Sequence, residues 1–488
     1  MQKIAALHHE LLYVLLFLVS FFIFNASTAT LYPYPHIDEC TYAEPAIAYL
    51  HGQGFGIHHF PQNFSMYPIF LVPWIQLFGF SMRSIRSADI FFMTAAFGFV
   101  WSAVKRFYFV SRLSYRIFML FLMATEFGIV VSYRIGRYDG FGACLLSILF
   151  WSMSVKRPIV RLTLLFAICL FLPWAGLQYL PVLFTEGVVM FIFFRGCYWK
   201  EIMISFLGAG AGGTGLIAAL FVCGRLPEYL QFIHTQQHLG LKMLAVWISS
   251  GHLNHSNIIP ADYSLPFLLS AAVVLTIYLL RRKIILWRSV LPCTLVYCAL
   301  LFGILFVSSR FPTYYSYMVA IPLAVAVCHG LSLRLSNSVK YAAWILCFLC
   351  VSAGVGINAA VYAENWQDRN YNRVEKFVSS VVRADDIAFV DQAPFYAARG
   401  QARDVFFPIP DWDIFQLMSA EQDNSITVVL VRPEHAEMAI RGLGGAWYPT
   451  GDMLAPSKKS LFEGKGWGFI SHPATQIQVF RRSYNPVK

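Results

Sequence analysis

Residues 36–68 read HIDECTYAEPAIAYLHGQGFGIHHFPQNFSMYP and form the first polar segment of a chain otherwise dominated by apolar runs. The preceding apolar run, residues 11–29, is long enough to predict a membrane span. The segment therefore places two adjacent carboxylates, Asp38 and Glu39, a few residues beyond the end of that span. Ionisable side chains at a membrane boundary are either solvated or used in function, so the pair marks a candidate site.

The residues after the carboxylates predict a short helix on the membrane surface. Ala46, Ile47 and Leu50 have the spacing of one helix face, and the glycine-rich stretch 52–56 ends the pattern. The following segment, 61–80, is apolar but interrupted by proline. This favours a helix lying in the membrane interface over a span.

The composition predicts an integral membrane protein. Of 488 residues, 58% are hydrophobic and only 13% are charged, whereas soluble domains have roughly 25% charged residues. Apolar runs of roughly 20 residues are typical of helical spans, while barrel strands alternate over ~10 residues. The net charge of +11 is expected in cytoplasmic loops. We therefore expect membrane lipids, and not nucleic acid, as partners.

Apolar runs and basic clusters together predict an α-helical polytopic bundle of eleven spans in the inner or plasma membrane. The predicted spans are 11–30, 86–104, 117–133, 140–155, 162–177, 179–194, 202–222, 264–280, 289–307, 313–331 and 341–360. Basic residues cluster at every second connection, which by the positive-inside rule places these connections and the N-terminus in the cytoplasm. Loops 31–85 and 224–263 and the C-terminal region are then extracytoplasmic.

From Glu364 onward the composition becomes that of a soluble domain. The patterns predict helices at 370–382 and 433–441 and strands at 387–390, 426–431, 466–470 and 476–481. Alternating elements indicate a small α/β domain over 364–488, following a membrane domain over 1–363. We expect this domain to cover the outer cavity and to help recognise the acceptor.

A second polar turn lies on the predicted outer side, between two spans. Residues 133–140 read YRIGRYDG and contain Arg134, Arg137 and Asp139. A salt-bridged helix cap with snorkelling side chains explains such a turn as well as a binding site does. Its occurrence on the same side as Asp38 and Glu39 favours a site. Arg310, at the outer end of a later span, has the same two interpretations.

The 224–263 loop contains His234 and His238, which would share a face if they lay on a helix and would then be able to bind a metal. No HExxH motif or flanking carboxylate supports a metal site, so we expect neither a metal nor another cofactor. We interpret these histidines, with Lys242, as part of an interfacial helix that contacts the donor or the acceptor.

Asp38 and Glu39, followed by AIAYLHGQGF, resemble the first outer loop of GT-C type membrane glycosyltransferases. The similarity is to the branch with the protein O-mannosyltransferases and the lipid A aminoarabinose transferase. In that branch an arginine and an aspartate also open a later span, as in GRYDG, and a basic residue precedes Tyr and a Pro-containing helix, as at Arg310. The lysine of a Lys-Pro-Pro-like step is absent here, where residues 65–68 read SMYP.

The resemblance implies transfer of a sugar from a polyprenyl phosphate donor to a lipid, glycan or protein at the outer face of the membrane. Asp38 would act as the base that takes the proton of the acceptor hydroxyl, and the anomeric centre would be inverted. Glu39 and Asp139 would orient the catalytic groups. The donor phosphate would be bound by three arginines, namely Arg134, Arg137 and Arg310.

Two other classes of function also suit a polytopic protein with outer carboxylates. A transporter or flippase would use the same residues to line a pathway, but we find no paired halves or matching broken helices in the sequence. A polysaccharide polymerase or ligase would also act on lipid-linked sugars, but its large outer loop is expected late in the chain.

Overall fold

The computed structural model describes residues 2–32, 35, 37–52, 65–107, 110, 112–176, 178–180, 182–184, 187–188, 198–227, 229–230, 264–282, 315–364, 366–407, 425–457 and 476–483. The chain divides into two compact units. The first comprises Met1–Asn25, Phe64–Tyr67 and Asp89–Ala359, and the second comprises Ala26–Asn63, Pro68–Ala88 and Ala360–Lys488. The second unit thus combines the C-terminal region with segments from the first loop.

Helices dominate the described residues. They are α1 Gln2–Ser27, α2 Ile37–Leu50, α3 Tyr67–Phe78, α4 Met82–Arg106, α5 Leu113–Thr125, α6 Phe127–Arg134, α7 Asp139–Met153, α8 Pro158–Ala175, α9 Trp199–Val222, α10 Leu265–Arg281, α11 Tyr317–Ser332, α12 Asn337–Ala363, α13 Trp366–Arg369, α14 Asn372–Val381, α15 Phe395–Arg399 and α16 Pro433–Leu443.

Within the described part of the chain, five helices are long and apolar enough to cross a membrane. They are His9–Ser27 of α1 and the whole of α4, α8, α9 and α12. Helices α7, α10 and α11 are apolar but shorter. By their length and composition, these helices indicate a membrane-embedded protein. The predicted span 289–307, and most of 179–194, lie outside the described residues.

The predicted span 117–133 is divided between two helices, α5 and α6, which are bent by 61° at Glu126. The Glu126 carboxylate accepts a hydrogen bond from the Ile129 N–H at 2.7 Å, which caps α6. The Ser264 hydroxyl donates to the same carboxylate at 2.7 Å and accepts from the Phe127 N–H at 2.7 Å. These bonds satisfy two of the backbone N–H groups that the break releases, those of Phe127 and Ile129.

The second unit contains a five-stranded sheet in the order β2-β1-β3-β5-β4. Its strands are β1 Ile387–Val390, β2 Asp404–Phe406, β3 Val428–Val431, β4 Trp447–Leu454 and β5 Ile477–Arg482. Strand β1 pairs in parallel with β2 and β3, and β5 is antiparallel to β3 and β4. Ala436, Ala439 and Leu443 of α16 have helical spacing and are packed against the sheet core.

The structure contains predicted helices and strands of the C-terminal region as a small sheet with flanking helices. The predicted helices are found as α14 and α16, and three of the predicted strands are found as β1, β3 and β5. The fourth, 466–470, lies outside the described residues. Strands β2 and β4 were not predicted. The first has only three residues, and the second, WYPTGDML, contains Pro, Gly and Asp, which are rare in strands.

Candidate functional site

The carboxylate pair lies within the first turn of α2, which begins at Ile37. The expected surface helix therefore starts before Asp38 and Glu39, and not after them, because acidic groups in a first turn are favoured by the helix dipole. Successive residues of a helix point about 100° apart. Glu39 is accordingly buried while Asp38 remains partly exposed. The Thr41 hydroxyl donates to the Asp38 carbonyl oxygen at 2.7 Å, which supports this turn.

Glu39 forms a buried ion pair with Arg86. The Arg86 Nε and one terminal nitrogen donate to the two Glu39 carboxylate oxygens at 2.9 and 2.7 Å, and both side chains are fully buried. Arg86 also donates to the Ala29 carbonyl oxygen at 2.8 Å. The Tyr396 hydroxyl donates to Glu39 Oε2 at 3.3 Å. Glu39 is thus committed to structural contacts, which suits an orienting role better than proton transfer.

A second ion pair involves the same helix. Arg399 donates to both carboxylate oxygens of Glu44 at 2.9 and 3.0 Å. Burial raises the pKa of Glu44 to about 7, against the lowering effect of Arg399. Because Tyr396 and Arg399 both lie on α15, this short helix makes two polar contacts with α2.

Arg137 and Asp139 lie in the turn that opens α7, in the first compact unit. The Arg137 Nε is 3.1 Å from Asp139 Oδ2, and both side chains are buried. The guanidinium lies 5.2 Å from the ring centre of Tyr138 and 5.7 Å from that of Tyr315. The structure therefore brings these two predicted residues together, and an aromatic environment fixes the arginine.

Arg134 lies four residues before Tyr138 in the chain, but its hydrogen-bond partners differ from the groups that surround Arg137. It donates to the Asn25 side-chain oxygen at 2.8 Å, and the Tyr133 hydroxyl donates to the same oxygen at 3.0 Å. Asn25 in turn donates to the Phe21 carbonyl oxygen at 2.9 Å. Arg134 is fully buried and its amide partner is neutral. Its binding of a donor phosphate stays a prediction.

Asp89 was missed by sequence reasoning and lies beside the Arg137 turn. Its Oδ1 accepts a hydrogen bond from the Phe141 N–H at 3.2 Å, which caps α7. Gly140 and Gly142 permit this packing. A Cβ atom at Gly140 would lie 2.3 Å from the Asp89 carbonyl oxygen, and one at Gly142 would lie 1.6 Å from the Tyr179 hydroxyl. The signals in the sequence are an aspartate within an apolar run and the last two glycines of GRYDGFG.

A third polar cluster lies in the α/β domain, at the carboxyl ends of the parallel strands β1 and β3. Asp391 accepts hydrogen bonds from Arg432 at 2.8 Å and from His435 at 2.9 Å. Burial alone would raise the pKa of Asp391, but the hydrogen bond from His435 and the charge of Arg432 lower it to about 2. This cluster fixes the start of α16 against β1.

Four predicted site residues, His234, His238, Lys242 and Arg310, lie outside the described residues. Across the parts of the chain that are described, no group of three or more His, Cys, Asp or Glu side chains is arranged to hold a metal ion. Asp38 and Glu39 belong to the second compact unit, whereas Arg134, Arg137 and Asp139 belong to the first.

Comparisons with known proteins identify no relative: the chain matches no protein-family model, and no curated protein is significantly similar to it in sequence.

Proposed function

We propose that this membrane protein is a GT-C type glycosyltransferase that uses a polyprenyl phosphate sugar as donor. The observation that carries the proposal is the division of roles within the carboxylate pair. Glu39 is buried in an ion pair with Arg86, whereas its neighbour Asp38 stays partly exposed at the start of α2. A helix held by a buried ion pair that keeps the neighbouring aspartate partly exposed suits a general base for an incoming hydroxyl.

The proposed reaction is a single displacement at the anomeric carbon. Asp38 takes the proton of the acceptor hydroxyl as its oxygen attacks the carbon, and the bond to the phosphate oxygen breaks on the opposite face, which inverts the configuration. Arg137, together with Arg134 and Arg310, offsets the charge that develops on the leaving polyprenyl phosphate. The acceptor is a lipid, a glycan or a protein.

The finer topology belongs to the same proposal. Eleven spans, a cytoplasmic N-terminus and an extracytoplasmic α/β domain place α2 at the outer face, where a flipped lipid-linked sugar is accessible. The regular alternation of basic clusters supports this orientation.

A transporter is the second candidate, because the bend between α5 and α6 is a feature of transporter helices. Glu126 at this bend is, however, occupied by Ile129 and Ser264 as a helix cap. The bend therefore has a structural explanation that needs no substrate, and we rank transport below sugar transfer.

The deciding experiment compares the glycolipids, glycans and glycoproteins of cells with and without the gene by mass spectrometry. A sugar missing from one class of molecules would name the acceptor. Complementation with wild type and with Asp385→Asn, which makes the same chemical change at an exposed aspartate, should restore it, whereas Asp38→Asn should not. If all three classes of molecules are unchanged without the gene, the proposed function is wrong.

A further inference from the structure

Helix α15 of the α/β domain contacts α2 at two positions. The Tyr396 hydroxyl donates to Glu39 at 3.3 Å, and Arg399 forms a bidentate ion pair with Glu44. Glu39 lies in the first turn of α2 and Glu44 more than one turn later. The two contacts therefore act on two points along α2, which restrains both its position and its rotation.

Arg86 adds a third restraint from the start of α4. Its guanidinium donates to Glu39 twice and to the Ala29 carbonyl oxygen once, so it joins α2 to the turn that follows α1. Neither member of the ion pair is exposed. Breaking a buried pair of this kind leaves an uncompensated charge, so the geometry is strongly enforced.

Tyr396 is itself held in place by aromatic contacts. Its ring centre lies 5.6 Å from that of Phe80 and 5.2 Å from that of Phe395, and Phe395 packs against Phe407 at 4.9 Å. These contacts direct the Tyr396 hydroxyl towards Glu39 independently of that hydrogen bond. Removing the hydroxyl alone should leave the ring packing intact.

We infer that Arg86 and Tyr396 are positioning residues for Asp38, and that the α/β domain is part of the catalytic frame instead of a cover over it. They act through Glu39: any shift of the first turn of α2 moves the adjacent Asp38 carboxylate relative to the acceptor hydroxyl. A misplacement of ~1 Å can reduce a rate by ~10²-fold. The inference rests on the proposed function, since it assumes that Asp38 is the base.

The test needs a measure of α2 position that does not depend on sugar transfer, and Cys40 provides one. Cys40 follows Glu39, is fully buried and lies 4.0 Å from the Gln392 carbonyl oxygen. Burial also raises the pKa of its thiol, which lowers its reactivity further. Cys223 is exposed and serves as an internal reference in the same molecule. Maleimide labelling of both residues is quantified by peptide mass spectrometry in the purified full-length protein.

The variants are Tyr396→Phe, which removes one hydroxyl, and Arg86→Lys, which keeps the charge but loses the bidentate geometry. Tyr448→Phe is the matched control, because it deletes the same atom from an exposed tyrosine on β4. Relative to Cys223, we expect Cys40 labelling to rise about threefold in Tyr396→Phe and about tenfold in Arg86→Lys. The kcat for transfer should fall by similar factors with an unchanged donor KM, and Tyr448→Phe should match wild type.

The outcomes separate the inference from the proposed function. If Cys40 is labelled to the same extent in both variants as in the wild type, Arg86 and Tyr396 do not hold α2, and the inference is overturned. Increased labelling with an unchanged kcat would also overturn it, while the proposed function would stand. If the wild-type protein transfers no sugar, the proposed function is wrong, and so is the proposed role of Arg86 and Tyr396 in catalysis. If Arg86→Lys does not fold, the single-hydroxyl variant Tyr396→Phe still decides the question.

Discussion

Asp89 Oδ1 accepts a hydrogen bond from the backbone N–H of Phe141 at 3.2 Å, although 52 residues separate them in the chain. The bond attaches the first turn of α7, and with it Arg137 and Asp139, to the N-terminal third of α4. It is possible only because no side chain at Gly140 separates the two backbones.

Gly140→Ala should therefore destabilise the protein. Its Cβ atom would lie 2.3 Å from the Asp89 carbonyl oxygen, so the two helices would have to move apart. Overpacking of this kind costs roughly 1–3 kcal/mol, which thermal unfolding in detergent would detect. Gly210→Ala is the matched control, since a Cβ atom there meets nothing within 4 Å. Equal unfolding temperatures for the two variants would contradict the close approach.

The two adjacent carboxylates should respond differently to neutralisation. Asp38→Asn is expected to reduce transfer by ~10²–10⁴-fold with normal stability, because a base is lost from a partly exposed position. Glu39→Gln is expected to lower the free energy of unfolding by ~3–5 kcal/mol, because the charge of buried Arg86 loses its partner. Purified variants assayed in liposomes, together with their unfolding curves, test both expectations. Wild-type-like transfer by folded Asp38→Asn would end its assignment as the base.

Arg137→Ala should weaken use of the donor more than use of the acceptor. A charged hydrogen bond to a phosphate in a largely buried site contributes ~1.5–3 kcal/mol, so we expect the donor KM to rise at least tenfold. Arg441→Ala, at a side chain that is 79% exposed, is the control for loss of a guanidinium. Donor KM values that are equal in the two variants would place Arg137 outside the donor site.

The free energy of unfolding should decrease as the pH rises from about 4.5 to about 7, because of Glu44. Its folded-state pKa is raised from 4.5 to about 7, so the folded protein binds more protons than the unfolded chain in this window. The contribution is fully present below pH 4.5 and is lost as pH rises through 7. Glu44→Gln should flatten this part of the pH profile of the unfolding temperature. A profile identical to wild type would contradict the shift.

Labelling of introduced cysteines should reveal the orientation. In a cysteine-depleted background, Ser379→Cys in α14 should react with an impermeant reagent from outside, because the α/β domain is proposed to be extracytoplasmic. Arg157→Cys, in the basic connection between the predicted spans 140–155 and 162–177, is expected on the cytoplasmic side and should react only after permeabilisation. If Ser379→Cys reacted only from the cytoplasm, the proposed location of the α/β domain would be wrong. The assignment of Asp38 to the outer side would then be wrong as well.

Local patterns were sufficient to predict much of the fold. Hydrophobic runs depend only on neighbouring residues, so the membrane helices and the elements β1, β3, β5, α14 and α16 follow from the sequence. The same is true of the candidate carboxylates, which stand out as charges next to an apolar run. The break at Glu126 could not be predicted in this way, because its cap is completed by Ser264, 138 residues later.

Only the tertiary structure decided how deeply each carboxylate is buried. The sequence presents Asp38 and Glu39 as equivalent, and the environment of Glu39 is set by Arg86 and Tyr396, which lie 47 and 357 residues away from it in the chain and donate to its carboxylate. No periodicity records such a contact, since it depends on where α4 and α15 pack. The sequence therefore determined that a carboxylate pair follows the first span, and the packing decided that Glu39 is buried while Asp38 stays partly exposed.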